Sequence, residues 1–159
     1  MNTILLQKLS AHSIDQGLLN QAIGFFNAAS RCFANVSLSP IQDNSPMTPG
    51  VVCAAFSVEM YLKLINLVST GNLPRGHKLV ELFKSLPQVK RDDLTKRFGD
   101  PKLPELISNV SDAFVTWRYE HEHESLAINP HFLTQLARAC HIEIRKMKPE
   151  LTVYGEARK

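Results

Sequence analysis

Over residues 14 to 35, Leu18, Leu19, Ala22, Ile23, Phe25, Phe26, Ala29 and Phe33 recur at three- and four-residue steps. That spacing lines one face of a helix, and Asp15 stands ahead of it as a plausible cap. A second apolar set, Val52, Ala55, Phe56, Met60, Leu64 and Leu67, follows Pro49 and precedes Gly71. Proline at the start and glycine past the end predict a helix over 50 to 69. Glu59 and Lys63 are four apart in the order that favours an ion pair, and Tyr61 and Asn66 fall on its other, outward surface. Leu79, Leu82, Phe83 and Leu86 predict a shorter helix over 77 to 86, ended by Pro87. The charged stretch 89 to 98 reads as a further short helix or a pair of turns. Leu106, Ile107, Val110, Ala113, Phe114 and Trp117 predict a third long helix, from 103 to 124. Asn129-Pro130 breaks the chain, and a last helix is expected from 130 to 146.

No period-two pattern stands out, and short connections join amphipathic helices. The fold class expected is all-α, a four- to five-helix bundle. Residues 1 to 148 form a single domain in this reading, and the polar segment 149 to 159 is expected to fray. Residues 35 to 50 break the rhythm, with Pro40, Pro46 and Pro49 among serines and asparagines. A loop of that length either carries a function or simply joins two helices.

Composition narrows the class. With 159 residues and 44% apolar content, one domain can bury an ordinary core. The most apolar stretch, 50 to 69, is interrupted by Ser57, Glu59, Lys63 and Asn66, so it reads as a core helix and not a membrane span. Residues 1 to 9 lack the form of a secretory signal, and a cytoplasmic location is expected. Cys32, Cys53 and Cys140 are odd in number and far apart, which favours buried thiols over a disulfide framework. Eighteen basic residues against 15 acidic give a net charge of +3. Such a balance permits nucleic-acid contact only through a local patch.

The densest polar stretch is Arg118-Tyr119-Glu120-His121-Glu122-His123-Glu124. One reading is a solvated helix end. Against it, Arg118 follows Trp117 and lies four residues after Phe114, beside the apolar stripe. A guanidinium taken out of water needs a carboxylate or phosphate to replace its hydration. On a helix, His121 and Glu122 share the face of Arg118. His123 lies about 140° round and joins them only if the helix kinks or ends. Two histidines two apart do not converge on a metal, so no metal or other cofactor is expected. Glu59 with Lys63 is either a surface ion pair or a receiver for Arg118 across the bundle. His77, opening a helix, is expected to meet solvent or cap a backbone group. Arg138, Arg145, Lys146 and Lys148 make the last helix basic, which suits its own dipole as well as a phosphate. Lys90, Arg91, Lys96 and Arg97 alternate with Asp92 and Asp93 and form only a weak patch.

Three blocks resemble a known family. Ala55-Phe56-Ser57-Val58-Glu59-Met60-Tyr61-Leu62-Lys63 is similar to the second-helix pattern of HEPN domains. Gly76-His77-Lys78-Leu79-Val80-Glu81-Leu82-Phe83 resembles the turn and helix that follow it in many members. Asp112-Ala113-Phe114-Val115-Thr116-Trp117-Arg118-Tyr119 resembles the later helix, in which an Arg is followed after four to six residues by a His, here His123. The resemblance covers residues 55 to 125 in the right order. It departs at Tyr119, where the family's nucleases often have a small polar residue. Trp-Arg-Tyr followed by Glu122 resembles a branch in which the histidine is often missing.

The resemblance implies a HEPN-like homodimer whose Arg–His helices meet in a shared cleft. It also implies either of two functions. One is a metal-independent endoribonuclease of toxin–antitoxin or phage-defence systems, with an antitoxin or other protein partner. Arg118, His123 and Glu59 would be its catalytic group, His121 the substitute, and Tyr119, Lys63 and Glu122 would help Arg118 bind RNA. The other is a non-catalytic module that binds a protein, a nucleotide or RNA in the same cleft. Neither implies a membrane.

Overall fold

The computed structural model describes residues 13–34, 47–112 and 129–153. Among these, every regular element is a helix: α1 (Ile14–Ala34), α2 (Met47–Thr70), α3 (Leu79–Lys84), α4 (Gln88–Phe98), α5 (Leu103–Asn109) and α6 (Pro130–Met147). Six helices stand among the described residues where four or five were expected, because the charged stretch after Pro87 makes a full helix. Gly99 ends α4 at φ +86°, donating its N–H to Thr95 O at 3.0 Å. A left-handed cap of this kind suits glycine, which has no Cβ to clash.

α2 is the axle of the bundle. α1 and α6 both pack along it, α3 folds onto its far end, and α1 and α6 barely touch each other. It is therefore buried nearly all round, from Val51 and Ala54 to Leu64 and Ile65. Tyr61 and Asn66, expected on its surface, are both buried. The correction has a simple cause: an axle helix has no outward face, so its polar side chains must find partners inside. Ser57 Oγ donates to Ala22 O at 2.8 Å. Asn66 Nδ2 donates to Leu82 O at 3.1 Å and approaches Ser85 Oγ at 3.0 Å, tying α3 to α2. By length and composition α2 would suffice to cross a membrane, yet 67% of its most apolar window is buried within the bundle.

The helix begins at Met47, three residues earlier than the prolines imply. Near this start α1 and α2 approach closely at Gly50. A Cβ there would lie 2.6 Å from Phe33 Cε1 and 2.9 Å from Cys32 Cβ. Gly50→Val should cost about 1–3 kcal/mol through overpacking, read as a lower urea midpoint with an unchanged slope. An unaltered midpoint would mean that the two helices separate freely. Of the three thiols expected to be buried, only Cys140 is fully so, while Cys32 and Cys53 are half-buried.

Three further expectations change. Ser13, and not Asp15, caps α1, its Oγ accepting from Gln16 N at 3.2 Å. The third long helix stops at Asn109. Its continuation is diverted to cap another element: Ser111 O accepts from Leu79 N at 3.3 Å and Ser111 Oγ from Val80 N at 3.1 Å. Residues 111 and 112 are turn. After α6 the chain stays on the body as far as Val153, where fraying was expected from 149. Gln16 Nε2 donates to Thr152 O at 2.7 Å, Thr152 N donates back to Gln16 Oε1 at 3.0 Å, and Arg145 donates to Leu151 O.

The patch on α4 is an internal clamp. Glu143 of α6 is fully buried, with Lys90 Nζ at 2.8 Å from Oε1 and Arg97 Nη2 at 3.1 Å from Oε2. Lys90 also holds Asp93 at 3.1 Å. The hydrogen bond to Glu143 raises the pKa of Lys90, and that from Lys90 lowers the pKa of Asp93. A raised lysine contributes stability that is complete below its unfolded pKa, about 10.4, and is lost as pH climbs through the folded value. A lowered carboxyl contributes stability that is complete above about 3.9 and lost as pH falls through the folded value. The thermal midpoint should therefore decline beyond both limits. Lys90→Met should flatten both declines; identical profiles for the two proteins would rule the clamp out as their cause.

Candidate functional site at the Glu59 carboxylate

Glu59 sits midway along α2 and is 1% exposed. Lys63, one turn on, brings its Nζ to 2.7 Å from Oε1, with its side chain 13% exposed. After α2 the chain turns at Gly71 (φ +75°) and Gly76 (φ +91°), and the second turn leads into His77. The His77 Nδ1 lies 2.9 Å from the same Oε1. Since an ionised carboxylate only accepts, Nδ1 carries the proton in this bond. The side chain of His77 is 60% exposed, so the pair runs from the interior to the surface.

The other carboxylate oxygen, Oε2, is buried and has no hydrogen-bond partner among the described residues. Leaving such an acceptor unsatisfied costs about 1–3 kcal/mol, more for a charged group. Buried polar atoms without partners are few in folded proteins, and each calls for a donor or a reason. Here Ser111 is bonded to Leu79 and Val80, two and three residues beyond His77. The chain thus enters the segment after Asp112 beside the turn that carries His77. Arg118 follows six residues later in the sequence, outside the described residues.

The site residues expected from sequence divide in two. Glu59 and Lys63 come together as their spacing implies, but the acid is buried and the lysine only partly exposed, so the pair is not a surface one. Arg118, Tyr119, His121, Glu122 and His123 lie outside the described residues, as does most of the 35 to 50 loop. His77 was missed as a partner of Glu59. The signal lay in the Gly76-His77 step following a helix that carries a lone acid in an apolar run. His141 likewise gains a partner, its Nδ1 2.9 Å from the Tyr61 hydroxyl. Of the basic residues at the end of α6, Arg145 is spent on Leu151 O. Lys148 reaches Glu150 at 3.3 Å and Asp15 at 3.8 Å.

The arrangement presents a buried carboxylate oxygen with no donor among the described residues, and a carboxylate-held imidazole at its rim. Such a carboxylate can orient a guanidinium, whose fork serves an acid on one edge and a phosphate on the other. Comparison of the chain with protein-family models, curated proteins and solved structures finds no match to any of the three.

Proposed function

We propose that the chain is a HEPN-like, metal-independent endoribonuclease in which Glu59 anchors Arg118. The observation that carries this reading is the buried Oε2 of Glu59, without a hydrogen-bond partner among the described residues; its pair His77 stands just ahead of the α3 start, to which Ser111, seven residues before Arg118, is bonded. Arg118 would give one edge of its guanidinium to Oε2 and the other to a phosphate of single-stranded RNA. There it would offset the charge that builds as the phosphorus becomes pentacoordinate. His123 would take the proton from the ribose 2′-hydroxyl, or return one to the leaving 5′-oxygen. His121 fills that role if the helix stays straight. Tyr119, Lys63 and Glu122 flank the phosphate site, and His77 steadies Glu59. Two protomers would bring two such helices to one cleft. A cytoplasmic role in toxin–antitoxin or phage defence, with an antitoxin as partner, fits an enzyme that is harmful when unrestrained.

The test is incubation of the purified protein with single-stranded RNA in EDTA. Cleavage should leave 2′,3′-cyclic phosphate ends, and Arg118→Ala and His123→Ala should each lower the rate by about 100-fold or more. Absence of cleavage by the wild type across pH and RNA sequences would overturn the nuclease reading. So would cleavage undiminished in both variants. RNA binding without cleavage would favour the non-catalytic module.

A further inference from the structure

A concave feature lies where α1 and α6 flank α2 and barely touch each other. It is a furrow of about 410 Å³, within the range of small-molecule sites. Its floor is Tyr61, whose hydroxyl bonds His141. Phe26 and Asn27 of α1 form one wall, and Arg138 and Ile142 of α6 the other. Val153 closes one end, held there by the bonds between Thr152 and Gln16.

Three observations give the furrow a chemical preference. Among the described residues no aspartate or glutamate lines it, so Arg138 carries their fixed charge there. The Arg138 guanidinium lies over the Phe26 ring, 5.6 Å from the centroid, and among the described residues it pairs with no carboxylate. Ile142, at the rim, is 50% exposed although large and apolar. An aromatic ring, an exposed isoleucine and one cation together suit a molecule with a flat apolar body and a single negative head. The hydroxyl of Tyr61 stays protonated, since burial raises its pKa, and it offers a polar floor without adding a second charge.

We infer that the furrow between α1 and α6 binds a small organic carboxylate with a flat apolar body, its head on Arg138 and its body between Phe26 and Ile142. Stacking on Phe26 leaves the guanidinium edge available for a charge-assisted hydrogen bond. Arg138 stands on the exposed side of α6, so replacing it does not disturb the core.

The experiment is calorimetric titration of the full chain with naphthoate, and with naphthylmethanol as its uncharged counterpart. Naphthoate should bind saturably. Arg138→Gln should weaken it by about 10-fold or more, the worth of one bond to a charged group, while changing naphthylmethanol less than about 2-fold. Asn27→Trp, which fills the furrow from an exposed position, should abolish binding of both. The inference falls if the wild type shows no saturable uptake of naphthoate, or if Arg138→Gln leaves the affinity unchanged. It also falls if Asn27→Trp turns a dimer into a monomer by sedimentation, because the furrow would then be a self-interface.

Discussion

Replacing Lys90 and Arg97 together with methionine should destabilise the protein by about 3–5 kcal/mol, the usual cost of stranding a buried charge. Glu143 is fully buried and both of its oxygens are engaged, one by each cation. Neither single replacement strands it, because the remaining cation still neutralises the carboxylate, so each should cost about 1–2 kcal/mol. The excess of the double variant over the sum of the singles is therefore the diagnostic quantity. In a domain of this size the double variant should melt on the order of 10 °C lower. Adding Glu143→Met should recover much of the loss, since three apolar side chains leave nothing to solvate. A double variant within about 1 kcal/mol of wild type by urea unfolding would show that the clamp adds little.

Glu59 separates a structural from a functional role more sharply. Glu59→Leu should cost about 3–5 kcal/mol, because Lys63 is mostly buried and would lose its counter-charge. Glu59→Gln keeps the shape and one acceptor for Lys63 and His77, so about 1–2 kcal/mol is expected. Its amide NH₂, however, would present hydrogens where Oε2 now presents lone pairs. A guanidinium cannot pair with that group. If Oε2 serves Arg118, Glu59→Gln should lower RNA cleavage about 100-fold while the protein remains folded at the assay temperature. Cleavage within a few-fold of wild type in a folded Glu59→Gln protein would reduce Glu59 to a structural acid. The nuclease reading would then stand or fall on Arg118 and His123.

Much of the fold was legible because helix periodicity is a local property. α1 and α6 appear within a residue or two of where the spacing of Leu18 to Phe33, and the Asn129-Pro130 break, put them. α2 was legible in extent but not in environment. Its apolar stripe implied a wet face for Tyr61 and Asn66, but Asn66 is covered by α3, the next helix, and Tyr61 is met by His141 of the distant α6. The end of α5 was also beyond local reasoning. The apolar spacing runs on past Val110, yet Ser111 leaves the helix and supplies acceptors to the α3 N-terminus, a partner that local spacing does not reveal. Likewise Lys90 and Arg97 sit in a stretch that looks solvated, and their inward turn depends on Glu143, 46 or more residues away.

For the candidate site, the sequence by itself determined that Glu59 and Lys63 share a helix face, since four residues make about one turn. Tertiary structure alone decided that this face is buried and that His77 returns to the same carboxylate oxygen. It also decided that the other oxygen is buried with no donor among the described residues. Burial and partner choice are set by which segments pack together across the bundle. The local pattern that specifies a helix carries no information about what will cover it.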